Sequence, residues 1–332
     1  VRECVADKPG SYRGDGGVCY KQTLTAARWA PPHHLESPAA EDPMRIATYR
    51  LHGQRQVGVV SDDGRSIVPL PLAPEQAERG AQAVIDDGVA HGRLPEAKGE
   101  PVALADVVLD APLPRPIRNL WCAGRNYHAH ARELSASIFK DSAAKVDEWP
   151  IVFSKVPESV VGPHAEVHMP VGVSEQIDYE VELAVVIGVG GRNIARAKAL
   201  DHVFGYTIVN DVTARDVQQR HQQWDLGKSF DTFCPLGPWL VTAAAFDPAK
   251  SRVRTWVNGE LRQDALTSDM IFDVPTLIET CSRGITLYPG DVIATGTPAG
   301  VGMGMKPQRW LKAGDVVRME VDGIGVIENR FV

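Results

Sequence analysis

The chain has 332 residues, 44% of them hydrophobic and 23% charged, with a net charge of −7 and no Lys/Arg cluster, so it is long enough for one large core plus a smaller domain but carries no electrostatic footprint for nucleic acid. Its longest apolar run, residues 183–187, is far too short to span a bilayer. Five dispersed cysteines without CxxC spacing argue against a disulfide framework or a zinc knuckle and lead us to expect a reducing, cytoplasmic compartment.

Residues 1–43 are rich in proline and small polar residues, have no sustained apolar period and hold no apolar segment that would make a signal peptide. Because residue 1 is Val and a clean strand pattern opens at Met44, we expect either an extension from a start placed too far upstream or a disordered tail, dispensable in both cases. From Arg45, RIATYRLHGQRQVGVVSDDGRSIVPL predicts short strands separated by HGQ and DDG turns, and helical stretches follow at residues 74–88 and near Leu104. APLPRPIRN, with proline at alternate positions, removes backbone donors and stiffens the chain. It divides a small N-terminal domain, 44–115, from a larger domain, 116–332.

The larger domain reads mostly as strand. IRNLWCAG and PIVFSK are strands, NYHAHARELSASIFK has helical character, and QIDYEVELAVVIGVGG is a long strand running into glycine. A short helix feeds the strand FGYTIVND, the helix VPTLIETCSRG lies between later strands, and NGE and DGIG mark hairpin turns. No internal repeat is evident. The fold class is β-rich α+β, without the strict βαβ alternation of a doubly wound sheet.

The most informative segment is Asp178-Tyr179-Glu180-Val181-Glu182-Leu183. On a strand, Asp178, Glu180 and Glu182 share one face, and the apolar AVVIG that follows carries them toward a core. Carboxylates about 4 Å apart repel by about 4 kcal/mol at an effective dielectric near 20, which a hard divalent cation (Mg²⁺, or Mn²⁺ or Ca²⁺) relieves. The plainer alternative is a solvated strand face. Asp211, where FGYTIVND meets a turn, is a third acid, or else a helix N-cap. Arg215 and Gln218 beyond it suit a substrate carboxylate, although Arg215 could equally pair with Asp216.

His130 and Glu133 stand three apart in NYHAHARE, on one helix face, where a carboxylate fixes the imidazole's tautomer and makes it a better base; an ordinary surface pair has the same spacing. His128 and His130 also form an HxH, but no second histidine cluster supports zinc. Lys228, flanked by Trp224, Phe230 and Phe233, is either a cation snorkelling over apolar surface or a desolvated one aimed at developing negative charge. TGTPAGVG, residues 295–302, lacks the GK[ST] of a phosphate loop, yet its turn could bring backbone N–H groups and Thr297 to an anion.

In chain order, GRNYHAHARE, FSK, DYEVELAVVIG, GYTIVNDVTARDVQ, GKSFDTFCPLGPW and PGDVIATGTPAGVG make the sequence from about Ile117 onward resemble the fumarylacetoacetate hydrolase family, and the part from Met44 resembles the small N-terminal domain of many bacterial members. The resemblance implies a mixed β-sandwich or roll, a homodimer, and Mg²⁺ or Mn²⁺ held by Glu180, Glu182 and Asp211. It implies a His130–Glu133 dyad on a mobile lid, a catalytic Lys228, and substrate contacts from Arg125, Gln218 and Thr297, with Arg215 and Lys155 as further candidates. LSASIFKDSAAKVDEW, after Glu133, is longer than in many members, which bears on lid closure and substrate size. The implied reaction is C–C hydrolysis of a small 2-oxo acid or 1,3-diketone of acylpyruvate or fumarylacetoacetate type. The alternatives are an isomerase or decarboxylase of 2-hydroxyhepta-2,4-diene-1,7-dioate type, or an oxaloacetate decarboxylase. A non-catalytic binding protein is the third reading, disfavoured because the acids, the dyad and the lysine are all present.

Overall fold

Strand Val181–Ile187 has no solvent-facing side, and that explains its apolar run over residues 183–187. Val181, Leu183, Val185 and Ile187 enter one hydrophobic cluster, while Ala184 and Val186 enter another on the opposite face. A strand covered on both faces is apolar except where a specific partner offsets the burial of a polar side chain, and Glu182 is that exception here.

The computed structural model describes residues 43–135, 148–220 and 223–332. The expected dispensable tail and most of the long segment after Glu133 lie outside these residues. A large mixed sheet forms the centre, in the order Val102–Ala103, Ser66–Pro69, Gln54–Val60, Arg45–Leu51, Cys234–Thr242, Val203–Asn210, Val181–Ile187, Val292–Ala294, Leu120–Gly124, Ile151–Lys155. One face packs on a four-stranded antiparallel sheet, Glu260–Leu266, Arg252–Val257, Val316–Val321 and Gly325–Arg330, through Val253, Val257, Val317, Met319, Val321 and Ile327. The other face is covered by helix Ala81–His91 through Ala81, Val84 and Ile85. The fold is the strand-rich sandwich expected from the sequence. No helix among the described residues is long and apolar enough to cross a membrane.

Two features of the chain's connectivity bear on the site. The proline-rich stretch after residue 111 joins segments of one sheet: Arg45–Leu51 pairs with Cys234–Thr242 through Arg45↔Val241 and Ile46↔Leu240. The long strand expected from residue 176 is interrupted at Tyr179 and Glu180. Ile177–Asp178 pairs with Thr213–Ala214, whereas Val181–Ile187 pairs with Val203–Asn210. Asp178 therefore leaves the face shared by Glu180 and Glu182. Elsewhere the local chemistry is direct: helix Val274–Ser282 starts at Asp273, whose carboxylate accepts the Thr276 N–H at 3.0 Å, with Pro275 in the first turn, where its missing N–H costs nothing.

Candidate active site

Strand register brings the acids together. Val181 lies opposite Asn210, and the Asp211 N–H donates to the Glu180 carbonyl at 2.9 Å, so Glu180, Glu182 and Asp211 converge although 29 residues separate the second from the third. One carboxylate oxygen from each lies within 4.8 Å of the others, and all three side chains are buried. Asp211 is not a helix cap; the residue before helix Arg215–Gln219 is Ala214.

The surrounding charges are specific. Lys228 Nζ donates to Glu180 Oε2 at 2.6 Å and to Asp211 Oδ2 at 2.7 Å, and lies 4.9 Å from the Phe153 ring centroid. Arg215 donates to Glu180 Oε1 at 2.6 Å and to Asp178 Oδ2 at 2.9 Å. Asp216 accepts from Ser174, and the alternative Arg215–Asp216 pair is not present among the described contacts. Burial alone would raise the Glu180 carboxyl, but Arg215 and Lys228 outweigh it and hold it below the usual carboxylate range. Burial, reinforced by Asp211 and Glu180, pushes the Glu182 carboxyl well above that range; its one backbone partner is the Gly296 N–H at 2.8 Å. Burial would lower the Lys228 ammonium, but Asp211 and Glu180 raise it, so it stays charged.

These residues fit a cation. Lys155 Nζ is 2.8 Å from Asp211 Oδ1, but its hydrogen bonds run to the Val212 and Lys228 carbonyls, leaving Oδ1 with no hydrogen bond. Asp211, whose Oδ1 is ion-paired with Lys155 without a hydrogen bond, Glu180, and a Glu182 carboxyl that resists ionisation beside two like charges form an all-oxygen set suited to a hard divalent ion.

The cavity over the acids is lined by His130, Arg125, Gln218, Thr297 and Lys228, together with Phe153 and Trp224. Arg125 follows strand Leu120–Gly124 in a left-handed conformation, φ 55°, a conformation uncommon for a residue with a Cβ. Helix His128–Ser135 brings His130 over the cavity, with Nδ1 3.2 Å from Glu133 Oε2. The pair is therefore largely buried, not a surface i,i+3 pair. Gln218 accepts from Arg215 at 3.2 Å, and Thr297 Oγ1 accepts from Gln263 at 2.8 Å. Gly296, φ 96°, has no room for a side chain, since a Cβ there would sit 2.7 Å from that of Asn126.

Lys155 differs from the expectation of a substrate contact. It is fully buried and does not line the cavity; it backs Asp211. Sequence reasoning missed Gln263, whose amide ties Thr297 Oγ1 and the Pro298 carbonyl to the Val181 N–H. No local signal marks it, because it reaches the site from the other sheet. Phe153 and Trp224, whose centroids are 5.3 Å apart, form the apolar wall; only Trp224 had been singled out, as a neighbour of Lys228.

Comparison with known proteins gives a consistent result. The family description "Fumarylacetoacetate (FAA) hydrolase C-terminal" matches residues 119–332. The chain is 44% identical over 307 residues to the oxaloacetate tautomerase YisK of Bacillus subtilis, covering 87% of this chain and 100% of that one. It is 46% identical over 332 residues to the mitochondrial oxaloacetate tautomerase fahd2 of Xenopus laevis, covering 94% and 99%. Among solved structures, the fumarylacetoacetate hydrolase of Exiguobacterium antarcticum aligns with a TM-score of 0.74 at 41% identity, covering 87% and 99%. The 2-hydroxyhepta-2,4-diene-1,7-dioate isomerase of Mycobacterium marinum aligns with a TM-score of 0.69 at 33% identity, covering 87% and 98%.

Proposed function

This chain belongs to the fumarylacetoacetate hydrolase family, and we propose that within it the protein is a divalent-metal-dependent tautomerase that interconverts the keto and enol forms of a small 2-oxo dicarboxylic acid of the oxaloacetate class. Sequence reasoning put C–C hydrolysis first. The relatives named as oxaloacetate tautomerases, matched across nearly their whole lengths, favour isomerisation instead. The observation that carries the reading is the lining of the cavity: Arg125, Arg215 and Lys228 stand beside the carboxylates, with Gln218 and Thr297 around them. That lining suits a dianion.

Glu180, Glu182 and Asp211 would hold Mg²⁺ or Mn²⁺, which when bound supplies Lewis-acid polarisation of the 2-oxo carbonyl. Arg125 and Gln218 orient the substrate carboxylates, Arg125 by charge-assisted hydrogen bonds and Gln218 through its amide. His130, with Nδ1 toward Glu133, uses Nε2 as the base: it takes a proton from the carbon next to the carbonyl and, as the imidazolium, delivers it to the enolate oxygen, with the same transfers run backward in the reverse direction. Lys228 spends two N–H donors on Glu180 and Asp211, which leaves a third for the oxygen on which negative charge develops. One C–H bond is exchanged for one O–H bond, and no water is consumed. The family also implies a homodimer, which sedimentation would test.

The test is a panel of oxaloacetate and acylpyruvates with Mg²⁺ or EDTA. We expect keto–enol exchange of oxaloacetate with no change in mass, abolished by EDTA. His130→Ala should lower kcat by roughly 10²–10⁴ with Mg²⁺ affinity unchanged. Cleavage of an acylpyruvate to two acids without any keto–enol exchange would overturn the proposal.

A further inference from the structure

Among the described residues Glu133 has two partners, and His130 is one of them. Its carboxylate also accepts the Gly300 N–H, at 3.1 and 3.3 Å to its two oxygens. The short turn that follows is built around this side chain: a Cβ on Gly304 would lie 2.1 Å from Glu133 Cδ and 2.1 Å from Oε1. Gly304 does not have a positive φ, so its backbone does not require glycine; the space taken by Glu133 does.

The turn is fastened from below. Asp178 accepts the Gly302 N–H at 2.7 Å and the Met303 N–H at 3.0 Å, and the Tyr179 hydroxyl donates to the Gly300 carbonyl at 2.9 Å. Asp178 is at the same time the 2.9 Å partner of Arg215, which holds Glu180. The acid that the sequence pattern grouped with Glu180 and Glu182 thus anchors the 300–304 turn to the short strand Ile177–Asp178 that immediately precedes them.

We propose that Gly304 is a positioning residue and that the 300–304 turn, seated on Asp178, is a socket that fixes Glu133 and through it the orientation of His130. The inference rests on the assignment of His130 and Glu133 as the acid–base pair. Carbon atoms pack at about 3.5–4.0 Å, so an alanine at 304 forces the Glu133 carboxylate back by more than about 1 Å, beyond hydrogen-bond reach of His130. A misplacement of that size costs roughly 10²-fold in rate.

The experiment is a double-mutant cycle on the Mg²⁺-loaded full chain, with keto–enol exchange of oxaloacetate as the assay. Gly304→Ala should lower kcat by roughly 10²-fold and leave KM and Mg²⁺ affinity near wild type, because the metal-binding acids and Arg125 are untouched. In a Glu133→Ala background the same substitution should cost nothing further. If Gly304→Ala alone melts at a lower temperature, the double variant should recover it, since the side chain it collides with is gone. Full activity of Gly304→Ala, or losses that add in the double variant, would overturn the socket while leaving the acid–base pair intact. Full activity of Glu133→Ala would overturn both.

Discussion

Lys228→Met isolates the electrostatics of the site. Lys228 is buried and spans two carboxylates at 2.6 and 2.7 Å. Methionine keeps an unbranched apolar stem of similar length and removes the charge, leaving Glu180 and Asp211 facing each other with less compensation. Deleting one partner of a buried ion pair typically costs about 3–5 kcal/mol. With an unfolding entropy of about 2.1 cal/mol/K per residue, the described body has roughly 0.6 kcal/mol/K, so the melting temperature in EDTA should fall by about 5–8 °C. A divalent ion replaces the missing positive charge, so saturating Mg²⁺ should raise the melting temperature of the variant by more than it raises that of the wild type. Turnover should nonetheless stay depressed by roughly 10²–10³, the usual loss when one donor to a developing oxyanion is removed. Differential scanning calorimetry with EDTA or Mg²⁺, alongside the keto–enol assay, measures all three. An unchanged melting temperature in EDTA, or a Mg²⁺ increment no larger than that of the wild type, would refute the account of Lys228 as counter-charge to the acids.

Two further predictions concern the acids. Glu182→Gln should weaken Mg²⁺ binding in titration calorimetry with little loss of metal-free melting temperature, because the Glu182 carboxyl already resists ionisation in the fold; a collapse of the apo fold would count against the assignment. The pH dependence follows from the same group. Its folded pKa lies above the unfolded value of about 4.3, so its contribution to metal-free stability is full below that pH and is lost as pH rises through the folded value. Glu180, held low by Arg215 and Lys228, acts in the opposite sense and only as pH falls below the ordinary carboxylate range. Since a cation needs the ionised carboxylate, Mg²⁺ binding should release protons and tighten with pH; calorimetry in buffers of different ionisation enthalpy should give a non-zero proton count, and zero release would contradict it.

Those acids also mark where local pattern stops and tertiary structure begins. The sequence by itself determined the components. The alternation of Glu180 and Glu182 before an apolar run, the i,i+3 spacing of His130 and Glu133, and Lys228 among aromatics are local relations that the two-residue and 3.6-residue periods translate directly into shared faces. The strand-rich fold was legible for the same reason, as was the apolar strand AVVIG entering the core. Relations between distant segments needed the folded chain. Asp178 has the same sequence spacing from Glu180 as Glu182 has, but the break at Tyr179–Glu180 turns it toward Arg215 and the 302–303 amides, and only the register between strands decides that. Lys155 looked like a substrate contact and instead backs Asp211, while Gln263 and Gly304 carry no local mark. Each is defined by what approaches it from another part of the chain: a second carboxylate, a second sheet, or the tip of Glu133. Periodicity specifies which way a side chain points along its own element, and packing between elements specifies what it meets there.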